Sequence, residues 1–560
     1  MAKVKNINNI KIALAQINPV VGDIAYNAQK IRDFRAKAAK ENADLVIFTE
    51  FSIAGYPPED LVKKPAFSDA AIKAISQLAS ETSDGGPAII IGGPRLAGGK
   101  LFNSLYLCDG GKISATRDKF HLPNYGVFDE KRVFDQGVVG EPVDFKGLKL
   151  GLMICEDMWL ADVAKEQAKL GADVLIAPQG SPFESDKLDQ RLTVSTARVL
   201  ETGLPLILLN QIGGQDELVF DGSSLVLDAK ANLIASMKSF AEDIIYLDCS
   251  KEGDTWNISG NTLAPVYDEV SALYTALVLG LRDYVNKNGF PGVLIGMSGG
   301  VDSALTATIA VDALGADKVH TYMLPSRYTS TESLDDAKAC SKALGARYES
   351  IDIEPMVASF DASLEASFEG REKDTTEENI QARIRGVILM ALSNKFGEMV
   401  IATGNKSEMS VGYSTLYGDL CGGFALLKDV YKTTAYELCL WRNINTCEIG
   451  LGPSGVVIPE NIITKAPTAE LRDNQKDADS LPEYAELDKI LSALVEDELA
   501  IADVVEMGFD FATVARIEHM LYIAEYKRRQ APPGVKVTRM QFGRDRRYPI
   551  TNRFRDGIKK

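Results

Sequence analysis

The chain has 560 residues, 61 Lys+Arg against 78 Asp+Glu, and a formal net charge of −17. That balance repels a phosphate backbone and argues against a general nucleic-acid binder. Seven cysteines without a CxxC pair argue against a disulfide framework or thiolate zinc site, and only three histidines, His121, His320 and His519, leave the chemistry to Cys, Lys and carboxylates.

No apolar run approaches the roughly 20 residues of a membrane span, and MAKVKNINNIKIALAQI lacks a signal-peptide core. The expected setting is a reducing cytoplasm, with no membrane partner. In chain order, residues 10–17, 44–50, 88–93, 148–157, 173–178 and 205–211 are short apolar runs that read as buried strands. Amphipathic stretches at Asn27–Asn42 and Asp186–Thr202 read as helices, and 223–235 as a hairpin turning near Lys230–Asn232. This alternation predicts a layered α/β domain over 1–250. Residues 251–265 are polar, carry Gly and Pro, and read as a linker. From 266 to 560 a helix starting near Val266 precedes strands in PGVLIG, KVHTYMLP, RYESIDIE and EMVIATG, a doubly wound parallel pattern. Residues 470–486 are charge-rich and read as a mobile segment, and RDRRYPITNRFR is a basic exception near the end.

Gly296-Met297-Ser298-Gly299-Gly300-Val301-Asp302-Ser303 joins an apolar strand to a helix. Glycines let the backbone approach an oxyanion, and N–H groups at the helix start favour phosphate. The loop is neither a Walker A motif nor GxGxxG. It resembles the SGGxDS loop of the N-type ATP pyrophosphatases. That resemblance implies cleavage of ATP between its α and β phosphates, AMP transfer to an acceptor, and Mg²⁺ held in part by Asp302.

LPSRYTSTES (324–333), EENIQARIRG (377–386), ATGNKSEMSVGYSTLYGD (402–419), APTAEL (466–471) and YKRRQAPPG (526–534) are similar to segments of the NAD synthetase family. The resemblance implies a second domain like the adenine nucleotide alpha hydrolases, which adenylates deamido-NAD and lets ammonia displace AMP. It also implies that Thr403 contacts ATP, that Lys432 steadies phosphate charge, and that Glu408 lies at the metal and the substrate. Asn379 and Lys527 would contact the dinucleotide. A homodimer or larger homo-oligomer is implied as well.

In the first half, Glu50 closes DLVIFTE, Lys119 lies in TRDKFHLP and Cys155 in LGLMICEDMW. A carboxylate that takes a thiol proton, a thiolate that attacks an amide carbon and an ammonium that steadies the oxyanion form one economical set. A nearby lysine also lowers a cysteine pKa. Taken singly, a Cys in an apolar strand also fits an inert core thiol, as Cys108 does. Together the three resemble the nitrilase superfamily, which implies an α-β-β-α sandwich with Cys155 as nucleophile toward glutamine. Tyr125, Ser181 and Lys187 match glutamine-binding positions. Lys187 stands where some relatives have Arg, so the charge is kept but a bidentate grip is lost.

The two halves explain each other, because one makes ammonia and the other consumes it. The combination resembles the glutamine-dependent members of the NAD synthetase family, with deamido-NAD, ATP and glutamine as small-molecule partners. Tethering delivers neutral ammonia at high effective concentration. Two rivals stay open: an amidotransferase acting on another carboxylate, and a non-catalytic nucleotide-binding regulator.

Overall fold

The computed structural model describes residues 9–473, 475 and 481–556. The chain divides into two compact units, one reaching Tyr267 and the other starting at Asp268, with Asp216–Leu218 grouped with the second.

The first unit is built on two large sheets. One has seven strands in the order Thr255–Ser259, Asp243–Glu252, Asn9–Gln16, Leu45–Ile47, Ala88–Ala97, Lys100–Asp109, Lys112–Asp118. The other has six, in the order Leu233–Ser236, Leu225–Leu227, Leu206–Asn210, Val174–Gln179, Leu148–Leu152, Val143–Phe145. Ile12, Leu14, Ile47 and Ile90 of the first sheet share one core with Leu150, Val174, Ile176 and Ile207 of the second. The alternate residues Leu175, Ala177, Leu206 and Leu208 turn outward and pack with Val163 and Val199 of the covering helices. Both faces of the sheet are therefore buried, which is why its strands read as unbroken apolar runs. Each fully buried Leu, Ile or Val contributes roughly 1.5–3 kcal/mol. Helix Ile24–Lys40 shows the local logic: Asp23 caps it by accepting from Tyr26 N (3.0 Å), Ala28, Ile31, Phe34 and Ala38 form its buried face, and Lys37 and Lys40 sit at its negative end. With helix Pro65–Glu81 against the seven-stranded sheet, the layers are helix, sheet, sheet, helix.

Three expectations need correction. Residues 251–265 are only in part a connector, because Thr255–Ser259 pairs antiparallel with Asp243–Glu252. Trp256 and Ile258 point into the core between polar neighbours, a two-residue alternation too short to stand out in sequence. The strand expected over 148–157 ends at Leu152, although Met153, Ile154 and Cys155 stay buried. The helix expected from Val266 begins at Glu269, where Asp268 accepts from Ser271 N (2.9 Å).

The second unit is built on a five-stranded parallel sheet in the order Arg347–Ser350, Val319–Met323, Val293–Gly296, Met399–Ala402, Phe424–Ala425. The chain starts in the middle, winds to one edge, then returns to the other side of Val293–Gly296. The loops after Val293–Gly296 and Met399–Ala402 therefore meet at the topological switch point, where doubly wound sheets bind ligands. Helix Val301–Leu314 is buried almost throughout. A C-terminal cluster packs Leu487, Leu491, Ile501, Val514, Ile517 and Leu521.

Of 470–486, residues 474 and 476–480 lie outside the described residues. Glu470 accepts from the Ser330 and Ser333 hydroxyls (2.7 and 2.9 Å), and Tyr484 opens helix Tyr484–Val495, so both ends of the expected mobile segment are tied down. Within the basic stretch, Arg546 is buried, 3.6 Å over the Tyr548 ring.

Trp256 is buried and its Nε1 donates to the Gly147 carbonyl (3.2 Å). Trp256→Ala should cost about 3–5 kcal/mol, read as a lower urea midpoint for the first unit. A loss under about 1 kcal/mol would show that Thr255–Ser259 is dispensable.

Candidate active sites

In the first unit, Glu50 lies beyond strand Leu45–Ile47 and Lys119 directly after strand Lys112–Asp118. Both are fully buried. The Lys119 ammonium donates to Glu50 Oε1 (2.8 Å) and to Glu130 Oε1 (2.9 Å). Glu50 Oε1 also accepts from Asn103 Nδ2 (2.8 Å), and its Oε2 accepts from Gly180 N (2.8 Å). Glu130 Oε1 accepts from the Tyr56 hydroxyl (2.9 Å). Gly180 is dictated by this packing, because a Cβ there would lie 2.4 Å from Cδ1 of Tyr56.

Cys155 is the turn between strand Leu148–Leu152 and the short helix Glu156–Trp159, with φ +44° and ψ −96°. A non-glycine residue pays about 1–3 kcal/mol for such a conformation and keeps it only where its surroundings impose it. Here the Cys155 N–H donates to the Pro178 carbonyl (3.1 Å), and the Ile154 N–H to Asp157 Oδ2 (3.0 Å).

Lys119 lowers the thiol pKa, as expected, but it is outweighed. Burial is the largest influence and pushes the Cys155 thiol well up; Glu50 pushes it further, and Lys119 only partly opposes them. Burial alone would lower the Lys119 ammonium, but Glu130 and Glu50 outweigh it and hold it well above the usual lysine value. Burial raises Glu130 to about 7, with Lys119 opposing. These surroundings therefore favour a neutral thiol beside a charged ammonium.

Of the three expected glutamine-binding residues, Tyr125 and Lys187 reach side chains of the short helix that follows this turn, and Ser181 follows the Gly180 whose N–H meets Glu50. Tyr125, 56% exposed, donates its hydroxyl to Glu156 Oε2 (2.9 Å), next to Cys155 in the chain. Ser181 follows Gly180 and is buried; its carbonyl accepts from Arg191 Nη2 (2.8 Å). Lys187 opens helix Lys187–Thr202, pairs with Glu184 (3.6 Å), and sits 4.8 Å over the Trp159 ring. Sequence reasoning missed Glu130, Tyr56, Asn103, Asp157 and Arg191. The signal for Glu130 was charge balance: an ammonium buried this deeply calls for a second carboxylate.

In the second unit the glycine loop follows Val293–Gly296. Met297 N donates to the Tyr322 carbonyl (2.8 Å), which anchors the loop to the sheet. Gly299 has φ +78°, and a Cβ there would lie 2.4 Å from the Ser333 carbonyl oxygen. The Ser298 and Ser303 hydroxyls are 3.0 Å apart, and Gly300 N donates to Ser298 Oγ (3.2 Å). Helix Val301–Leu314 then begins, with Asp302 in its first turn. Thr403 leads out of the neighbouring strand Met399–Ala402, and Asn405 after it donates to Asp302 Oδ1 (3.1 Å). Asn405 also caps helix Lys406–Val411 reciprocally with Glu408.

Lys432 heads helix Lys432–Ile444 and is buried. It was expected to face phosphate. Its ammonium here is ion-paired with Asp302 and lies 3.6 Å from Glu408 Oε1. Burial would lower it, but Asp302 and Glu408 raise it well above the ordinary lysine value. Asn379 and Lys527 converge on the loop after Lys406–Val411. Asn379 Oδ1 accepts from Thr415 Oγ1 (2.8 Å), and Lys527 Nζ donates to the carbonyls of Gly412 (2.8 Å) and Ser414 (2.7 Å).

Two family models match the chain: carbon-nitrogen hydrolase over residues 11–256 and NAD synthase over 273–531. Among curated proteins, a glutamine-dependent NAD(+) synthetase of Rhodobacter capsulatus is 48% identical, covering 98% of this chain and 99% of that one. The protein of that description from Acinetobacter baylyi is 42% identical, with 98% and 99% covered. Among solved structures, a glutamine-dependent NAD+ synthetase from Acinetobacter baumannii in complex with adenosine diphosphate is 40% identical, with a TM-score of 0.77, 97% of this chain and 99% of that one covered.

Because Glu50 adds to burial in raising the thiol, Glu50→Gln should bring the Cys155 pKa down. The apparent Cys155 pKa, read from the pH dependence of its alkylation by iodoacetamide followed by mass spectrometry, should then be lower than in wild type. An unchanged or higher apparent pKa would mean that the Glu50 charge does not reach the sulfur.

Proposed function

The chain belongs to the glutamine-dependent NAD(+) synthetases, and from that membership we propose how its own residues divide the reaction. The activity is ATP-dependent amidation of deamido-NAD with nitrogen from glutamine: the first unit belongs to the glutaminase-like carbon-nitrogen hydrolases and the second to the NAD synthases. The observation that carries the division of roles is the fully buried Lys119 ammonium held between Glu50 and Glu130, with Cys155 in their field.

Cys155 Sγ attacks the side-chain amide carbon of glutamine while Glu50 takes the thiol proton. Proton transfer as the sulfur attacks suits a thiol that burial pushes up in pKa. Lys119, already charged, stabilises the oxyanion, typically worth about 10²–10³ in rate. Glu50 returns its proton to the leaving nitrogen and ammonia departs. Water, deprotonated by Glu50, then opens the thioester, the proton passes from Glu50 to the departing Cys155 sulfur, and glutamate is released. Glu130 keeps Lys119 charged and in place. Tyr125, Ser181 and Lys187 hold glutamine, with Lys187 as a point charge for its carboxylate.

At the second site, the backbone N–H groups and hydroxyls of Ser298–Ser303 cradle the phosphates of ATP, with Thr403 beside them. The nicotinate carboxylate of deamido-NAD attacks the α-phosphorus and pyrophosphate leaves. Ammonia then attacks the activated carbonyl and AMP leaves. Asn379 and Lys527, at one loop, serve the dinucleotide. Asp302 and Glu408 reach the same ammonium, so they flank one cation position with hard oxygen donors of the kind Mg²⁺ takes. Mg²⁺ bound there would neutralise triphosphate charge, and Lys432 would be free to turn to a phosphate oxygen.

Seven unpaired thiols suit a reducing cytoplasm, and among the described residues no helix is long and apolar enough to cross a membrane. A homodimer or larger homo-oligomer is proposed from the family resemblance alone.

Cys155→Ala should abolish NAD⁺ formation from glutamine yet leave the reaction with ammonium chloride near wild type. Asp302→Ala should abolish both. The test quantifies NAD⁺, AMP and pyrophosphate with each nitrogen source. A folded Cys155→Ala that also loses the ammonium-driven reaction would refute the division of roles.

A further inference from the structure

Asp157 is 3% exposed, inside the short helix Glu156–Trp159. Its Oδ1 accepts from His121 N (2.7 Å) and Phe120 N (3.2 Å), and its Oδ2 accepts from Ile154 N (3.0 Å). One carboxylate thus ties the backbone leaving Lys119 to the backbone entering Cys155, segments 36 residues apart in sequence. We propose that Asp157 is a positioning residue of the glutamine site, fixing the spacing between the Cys155 sulfur and the Lys119 ammonium. The proposal rests on the reading of Cys155 and Lys119 given above.

Three features carry it. A buried carboxylate is expensive, and these three backbone N–H groups are what this one gathers. Space-filling alone would be served better by an apolar residue of similar size. The Cys155 turn, at φ +44°, needs an imposed restraint on its N-terminal side, and the Ile154 N–H is where Asp157 supplies it. The restraint must also be referred to Lys119, because the lysine reaches the site from a strand of the other sheet. Only a group with two acceptor atoms does both. An asparagine has one acceptor and one donor, so either the Ile154 or the His121 N–H would face an NH₂ group.

The test is steady-state glutamine hydrolysis by full-length Asp157→Asn and Asp157→Glu, with Cys155→Ala alongside. Rates are normalised to folded protein by circular dichroism. Asp157→Asn should lower kcat about 100-fold, the scale of a 1 Å misplacement, with KM for glutamine within about threefold of wild type. The ammonium-driven reaction should be unchanged. Asp157→Glu keeps the charge but moves it by a methylene, and should fold and still lose at least about tenfold in kcat. A folded Asp157→Asn with wild-type kcat, or with kcat intact and KM raised, overturns the proposal. If Asp157→Asn does not fold, Asp157→Glu decides: wild-type kcat, or failure to fold, makes Asp157 a structural residue and overturns it. Glutamine hydrolysis surviving in Cys155→Ala would instead sink the reading of Cys155, and the proposal with it.

Discussion

A lysine ammonium with no access to solvent governs the first unit. Stripping water from it costs several kcal/mol, which only close opposite charge offsets. Lys119 therefore needs both Glu50 and Glu130, and their own oxygens need donors in turn. Asn103, Tyr56 and the Gly180 N–H supply these. The participants come from a strand interior (Asn103), strand ends and loops scattered between residues 50 and 180. Removing one partner would leave an uncompensated buried charge, typically a loss of about 3–5 kcal/mol. The same confinement favours the charged ammonium and the neutral thiol.

The second unit meets a similar constraint with other parts. Lys432 is buried against Asp302 and Glu408, and Asn405 ties Asp302 to the helix that carries Glu408. Parallel pairing of Val293–Gly296 with Met399–Ala402 puts the two loops side by side. The polar groups are thus gathered before any substrate arrives, which lowers the cost of organising them during the reaction.

Much of this was legible in residue order. The unbroken apolar runs gave the buried strands because both faces of those strands are covered. The strand–glycine–helix junction at 296–303 marked the switch point, because close backbone approach needs glycine at Gly299. Glu50, Lys119 and Cys155 were visible through family resemblance. Glu130 and Asp157 were not, since neither has a local pattern and each acts through a partner distant in sequence. Thr255–Ser259 was hidden because two inward side chains among polar neighbours are weak periodicity. The pairing of Lys432 with the expected metal carboxylates was likewise invisible, because Asp302 lies 130 residues away.

The most direct measurement is glutamine hydrolysis and ammonium-driven NAD⁺ synthesis by Lys119→Met, which keeps the length of the buried stem and deletes the charge. The expected result is a fall of about 10²–10³ in kcat for glutamine hydrolysis, with ammonium-driven synthesis unchanged. A folded Lys119→Met that hydrolyses glutamine within about tenfold of wild type would show that the ammonium between Glu50 and Glu130 is not what the site depends on.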